Sequence, residues 1–150
     1  MLNYNSVIKN EINQESVSVR EIYPVMKINL RGKKREFLTN VGKNLNMILP
    51  TEANTSTTSD KLTAIWLSPD EWMVVSNDHV SKDNNKYELQ EMLFNSISKT
   101  TLGAVVDVTD QFVQLELKGD NIYEIFSAGS PFNFNSVSYT HLTLPTTPYV

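Results

Sequence analysis

The chain has 150 residues, 40% of them hydrophobic and 20% charged, which places it among ordinary globular domains and outside the disordered and fibrous classes. Its formal net charge of -4 opposes nucleic acid, so no nucleic-acid partner is expected. With no cysteine, thiolate zinc, iron–sulfur clusters, a cysteine nucleophile and disulfides are excluded.

In chain order, residues 1–22 carry apolar positions too scattered to define a period and read as an N-terminal arm that orders only against a partner. Met1 to Glu21 holds neither the apolar stretch of a signal peptide nor a run long enough to cross a bilayer. The expectation is a soluble, cytoplasmic chain without a membrane partner. From Val25, Met26, Ile28 and Leu30 alternate with Lys27, Asn29 and Arg31, the period of a half-buried strand. The basic cluster Arg31-Gly32-Lys33-Lys34-Arg35 follows. It reads as the solvated lead-in to a helix, with contact to a phosphate or to a partner's acid as its other use.

Phe37, Leu38, Val41 and Leu45 fall at helical spacing before Pro50, and the Thr- and Ser-rich stretch 51–60 reads as an exposed loop. Leu62–Leu67 and Trp72–Val75 flank Ser68-Pro69-Asp70-Glu71, a hairpin with proline setting a type I turn. Leu89, Met92, Leu93 and Ile97 predict a second helix ending before Gly103. Ala104–Val108 and the alternation Val113, Leu115, Leu117 predict a second hairpin across Thr109-Asp110-Gln111. A short third helix, capped by Asp120 or Asn121, contains Ile122, Ile125 and Phe126 and stops at Ala128-Gly129 before Pro131.

The order β-α-β-β-α-β-β-α predicts an α+β fold over residues 23–135: a mostly antiparallel sheet with helices packed on it, in the split βαβ, ferredoxin-like order. Beyond Asn135 the composition changes. Residues 136–150 contain no Asp, Glu, Lys or Arg and end Thr-Leu-Pro-Thr-Thr-Pro-Tyr-Val, which resembles translated adapter read-through. That tail is set aside as non-native, and the domain is read as C-terminally truncated.

Few residues suggest chemistry. Neither a G-x-G-x-x-G fingerprint nor a G-x-x-x-x-G-K-S/T loop is present, so flavin and nicotinamide are expected to bind elsewhere. His79 reads as a polar-loop residue between strand and helix, and His141 belongs to the tail. Asp107 and Asp110 could form a carboxylate pair with one raised pKa, but the turn-forming use of Asp-Val-Thr-Asp is the stronger reading. Trp66 and Trp72 could stack on a flat heterocycle, and on short strands they read more readily as core. No catalytic, cofactor-binding or metal-ligating residue is assigned.

Four segments carry a resemblance. Ala64-Ile-Trp-Leu-Ser-Pro-Asp-Glu-Trp-Met-Val-Val75 is similar to the L-x-P-D-E-W-L signature of the sarcosine oxidase gamma subunit family. Gly103-Ala-Val-Val-Asp-Val-Thr-Asp110, Leu115-Glu-Leu-Lys-Gly119 and Ala128-Gly-Ser-Pro-Phe-Asn133 resemble that family's G-A-V-V-D-V-S-D, L-x-L-x-G and G-C-P-L-D blocks, in the same order. Ser130 stands where the family has Cys, and Asn133 where it has Asp. The resemblance implies a fold related to the folate-binding domain of aminomethyltransferases. It also implies a non-catalytic role within heterotetrameric sarcosine oxidase, an oxidoreductase acting on CH-NH donors with oxygen as acceptor. That complex converts sarcosine to glycine and passes the one-carbon unit to tetrahydrofolate. The implied partners are the alpha, beta and delta subunits, which hold FAD, FMN, NAD, zinc and the folate site, leaving none on this chain. The family-motif residues Pro69, Asp70, Glu71, Trp72, Asp107, Asp110, Gly119, Gly129 and Pro131 are expected to be structural or at an interface. Trp66, Trp72 and Phe132 are expected to become buried only when partners are present. A stand-alone folate-binding or aminomethyltransferase-like protein and a generic interaction domain are the alternative readings.

Overall fold

Period-two alternation along residues 25–31 builds the centre of the larger of two sheets: Met26, Ile28 and Leu30 are buried on one face of that strand. The computed structural model describes residues 5–8, 11–14, 16–79 and 86–131, the side chains of 78, 79, 86 and 87 excepted. The strands are β1 (Ile12–Gln14), β2 (Val17–Ile22), β3 (Val25–Arg31), β4 (Ser56–Thr58), β5 (Leu62–Ser68), β6 (Glu71–His79), β7 (Ala104–Asp107) and β8 (Gln114–Lys118). The helices are α1 (Arg35–Leu45), α2 (Lys86–Leu93), which continues into a π-helical turn at Phe94–Ser98, and α3 (Ile122–Gly129). By compactness the chain divides into Pro24–Phe112 and a second unit made of residues up to Tyr23 with those from Val113, whereas the sequence reading set one domain over 23–135. The tail 136–150, with His141, lies outside the described residues, as do Phe132 and Asn133.

In the 24–112 unit the sheet order is β4-β5-β6-β3-β7, with every neighbouring pair antiparallel. Since β3 and β5 both run against β6, they are parallel to each other, and the connection through α1 steps over β6. Phe37, Val41 and Leu45 of α1 and Leu93 and Ile97 of the second helical segment pack with Ile28, Leu30, Ala64, Trp72, Val74 and Val105 in one buried cluster. Both helices therefore cover the same sheet face. The Asn44 amide joins them by donating to Ser96 Oγ at 2.9 Å. The π-helical turn leaves Met92 38% and Phe94 44% exposed while Leu93 and Ile97 turn inward, so Met92 is not the core residue its spacing suggested.

Helix α1 stops at Leu45 because Asn46 adopts left-handed geometry at φ 50° and Met47 N donates to Gly42 O at 3.1 Å, ahead of Pro50. The 51–60 stretch is not wholly loop. Ser56–Thr58 forms an edge strand on β5, with the Thr58 and Thr63 hydroxyls 3.2 Å apart across the pair. His79 likewise lies in β6, opposite Val25, rather than in a loop.

The second predicted hairpin does not form. Strand β7 pairs with β3, while β8 pairs with β2 in a separate sheet of order β1-β2-β8. The cause is local: Thr109–Gln111 make a 3-10 turn, and Val108 N and Thr109 Oγ1 are bonded to the Lys27 backbone, which holds the chain against β3. Within the 1–22 segment, read as an arm, β1 and β2 form a hairpin and Arg20 pairs with Glu116 directly across from it on β8. Glu21 gathers the Ser6 hydroxyl at 2.6 Å and the Val7 and Ile8 amides at 2.8 and 3.0 Å. In α3 no side chain is buried among the described residues, and Asn121 holds the N-cap position without a side-chain cap bond.

Candidate functional site

The Pro69-Asp70-Glu71-Trp72 turn is the densest polar constellation among the motif residues. Pro69 is exposed at the corner of the β5–β6 turn, where its fixed φ suits the bend. The Asp70 carboxylate accepts from Ser68 Oγ at 2.9 Å and lies 3.6 Å from Lys33 Nζ, and its backbone carbonyl accepts from Gly32 N at 3.0 Å. The Ser68 hydroxyl, and after it Lys33, hold the Asp70 carboxyl below its ordinary range. Glu71 accepts from Arg31 Nη2 at 2.8 Å and Asn29 Nδ2 at 2.7 Å. Those bonds, Arg31's first, hold the Glu71 carboxyl low against the opposing effect of its partial burial. Turn and helix lead-in are thus tied together through the basic cluster's first three residues.

Glu71 contributes stability that is fully present above the unfolded glutamate pKa of about 4.3 and is lost as pH falls through the lower folded value. Glu71→Gln is expected to flatten the acid limb of stability. Urea midpoints measured across that range check it, and an acid limb of unchanged slope would show that the carboxylate contributes nothing there.

Trp72 is 2% exposed; its Nε1 donates to Pro50 O at 2.7 Å and its ring lies 5.7 Å from that of Phe37, tilted by 32°. This corrects the expectation that Trp72 is covered only by partners: its own unit covers it. Trp66 is partly buried against the same core. Gly103, which opens the second motif block, also abuts Phe37, since a Cβ there would lie 2.8 Å from the ring and overlap the Arg31 carbonyl oxygen. The two blocks, far apart in sequence, meet at Phe37.

Asp107 is used as a turn-former, its Oδ1 accepting Thr109 N at 2.9 Å, while Asp110 is exposed. Lys27, placed by alternation on the outward face, is 4% exposed, with Nζ donating to Val25 O at 3.3 Å and Phe112 O at 3.2 Å. Burial lowers its pKa from the ordinary lysine value, and Asp110 opposes that shift. Gly119 sits at φ 135°, where a Cβ would overlap Ser16 O. At Gly129 nothing lies within 4 Å of an added Cβ, and Pro131 is exposed. The structure therefore brings Asp70, Glu71 and Trp72 together around the helix lead-in, and leaves Asp107, Asp110, Gly119, Gly129 and Pro131 elsewhere. Phe37 and Lys27 were missed as keystones. Helical spacing placed Phe37 on the apolar face of α1, but nothing in the sequence marked it as the point where the two blocks meet.

The sequence matches the family described as "Sarcosine oxidase, gamma subunit family" over residues 32–141. The chain belongs to the sarcosine oxidase gamma subunit family. No curated protein matches it. Among solved structures, a chain of the heterotetrameric sarcosine oxidase from Corynebacterium sp. U-96, in complex with pyrrole 2-carboxylate, is similar with a TM-score of 0.60 at 20% identity. That likeness covers 74% of this gamma-family chain and 54% of the neighbour, so the chain spans about half the length of the structure it matches. The family match contains both the Pro-Asp-Glu-Trp turn and the Gly103–Asp110 block, the two segments that meet at Phe37. Among the described residues of this family member, no group of three or more His, Cys, Asp or Glu could hold a metal ion, and no helix is long and apolar enough to cross a membrane.

Proposed function

We propose that this chain serves as the gamma subunit of a heterotetrameric sarcosine oxidase, bracing the assembly without supplying catalytic residues. The observation that carries this reading is the use of the motif's polar groups. Asp70, Glu71 and Asp107 are engaged with Ser68, Lys33, Arg31, Asn29 and a turn amide, leaving no convergent acid, base or nucleophile around them among the described residues. In this reading alpha, beta and delta subunits hold FAD, FMN, NAD, zinc and the tetrahydrofolate site in the cytoplasm. The complex demethylates sarcosine to glycine, with the one-carbon unit passing to tetrahydrofolate and electrons to oxygen. A ferredoxin-like core related to the aminomethyltransferase folate-binding domain is part of the same proposal. Its support is the strand order, in which β3 lies between β6 and β7 with both helical segments on one face.

The test is co-purification. The tagged full chain, co-expressed with candidate alpha, beta and delta subunits, is expected to retain all three in fixed stoichiometry. A chain that purifies alone, or one that binds tetrahydrofolate by itself in calorimetry, would overturn the reading.

A further inference from the structure

We infer that the groove between α1 and residues 46–51 docks an acidic segment of a neighbouring subunit that presents one apolar side chain. The inference rests on the subunit reading above. The open groove has a volume of about 620 Å³ and is lined by Arg35, Leu38, Lys43, Met47, Ile48 and Thr51 among others. Its shape follows from the helix end. After Asn46 turns into left-handed geometry the chain runs on with Met47 and Leu49 buried at 8% and 4%, and Ile48 between them is turned outward. At 83%, Ile48 is the most exposed large hydrophobic residue among those described. An isolated exposed aliphatic is unremarkable in a soluble protein, but this one stands on the wall of a concave surface whose floor includes half-buried Leu38.

Charge selects the occupant. Among the described residues no acidic one lines the groove, although the chain as a whole carries -4; Arg35 and Lys43, eight residues and about 12 Å apart along α1, flank it. Neither makes an ion pair or side-chain hydrogen bond among the described residues, unlike Arg31 and Lys33 just before the helix. Lys43 suits the helix C-terminus, but Arg35 stands in the first turn, where the helix dipole disfavours a cation, so helix stability does not account for it. An acidic chain segment answers both cations, and one apolar side chain laid against Ile48 and Leu38 answers the groove.

The test uses the tagged full chain co-expressed with the other subunits, with retention of those subunits on the tagged chain read across a salt series. Arg35→Glu with Lys43→Glu is expected to weaken binding about tenfold or more and to remove its salt dependence. Ile48→Asp is expected to weaken binding by about tenfold, and Val106→Asp, on the sheet face away from the helices, to leave it unchanged. All four substituted positions are exposed, and circular dichroism establishes that each variant keeps its fold. If the native chain binds and the double reversal binds equally well, the groove is not the docking site, while the subunit reading stands. If the native chain does not bind, both fall. A native chain that is itself a dimer, made monomeric by the reversal, would put a second copy in the groove and overturn the proposal.

Discussion

Trp72→Ala is expected to lower unfolding free energy by about 3–5 kcal/mol, as truncation of a buried aromatic does when the surrounding core cannot collapse into the space. The structure gives little room for collapse. Trp72 is 2% exposed, rests on Phe37, and occupies β6, which is hydrogen-bonded on both sides by β5 and β3. Its Nε1 also satisfies Pro50 O where the chain turns away from the groove wall. Trp72→Phe separates the two contributions: it keeps most of the ring and leaves a buried carbonyl unpaired, a cost of about 1–3 kcal/mol. Urea unfolding followed through Trp66, which both variants retain, measures each. Against a whole-domain margin of about 5–15 kcal/mol, the alanine variant is expected to be largely unfolded in mild denaturant. A loss below about 1 kcal/mol would contradict the account of Trp72 as the keystone of the motif.

Gly119→Ala is expected to cost about 2–4 kcal/mol, and it acts on the other unit. At φ 135° any side chain is strained, by roughly 1–3 kcal/mol. Here the added Cβ would also overlap Ser16 O and lie 2.8 Å from Val17 Cα. Those atoms belong to the turn into β2, the strand that β8 pairs with from Ser18–Lys118 to Ile22–Gln114, so relief requires displacing that ladder. Gly129→Ala is the matched control, because nothing lies within 4 Å of a Cβ there and a helix end tolerates alanine. Thermal melting of the two variants beside the native chain checks the pair, and equal melting temperatures would remove the structural role assigned to Gly119.

What the sequence revealed depended on how local the determining interaction is. The alternation of Met26, Ile28 and Leu30 and the helical spacing of Phe37, Val41 and Leu45 are properties of neighbouring residues, and β3 and α1 appear where those patterns place them. The Ser68–Glu71 turn was legible for the same reason. By contrast, β2 is half-exposed along almost its whole length and shows no alternation, and its partner β8 lies nearly a hundred residues further on, at Ser18–Lys118. Strand β4 is built from Ser56, Thr57 and Thr58, whose composition is that of a loop and whose pairing is supplied by β5. Lys27 occupied a polar slot in the alternation, and only the fold shows Val25 O and Phe112 O gathered on its ammonium group.

The candidate site was legible in a different way. Resemblance singled out Asp70, Glu71, Trp72 and Gly119, but the reasons they matter lie in residues it did not single out: Arg31, Asn29, Phe37, Pro50 and Ser16. A carboxylate in a motif invites a catalytic reading, and the partners of Glu71 and Asp107 point instead to turns held in place. The acid-to-basic-cluster ties also leave Lys34, Arg35 and Lys43 as unpaired cations of that region among the described residues, and of these Arg35 and Lys43 line the groove.

The most direct measurement of the central claim is sarcosine oxidation per bound flavin in a complex expressed with and without this chain. The account predicts that a stoichiometric flavin-containing complex, active on sarcosine, is recovered only when the chain is present. It also predicts that Asp107→Asn and Asp110→Asn leave turnover per assembled complex unchanged. Full activity without the chain, or assembled complexes whose turnover collapses with either aspartate, would contradict it.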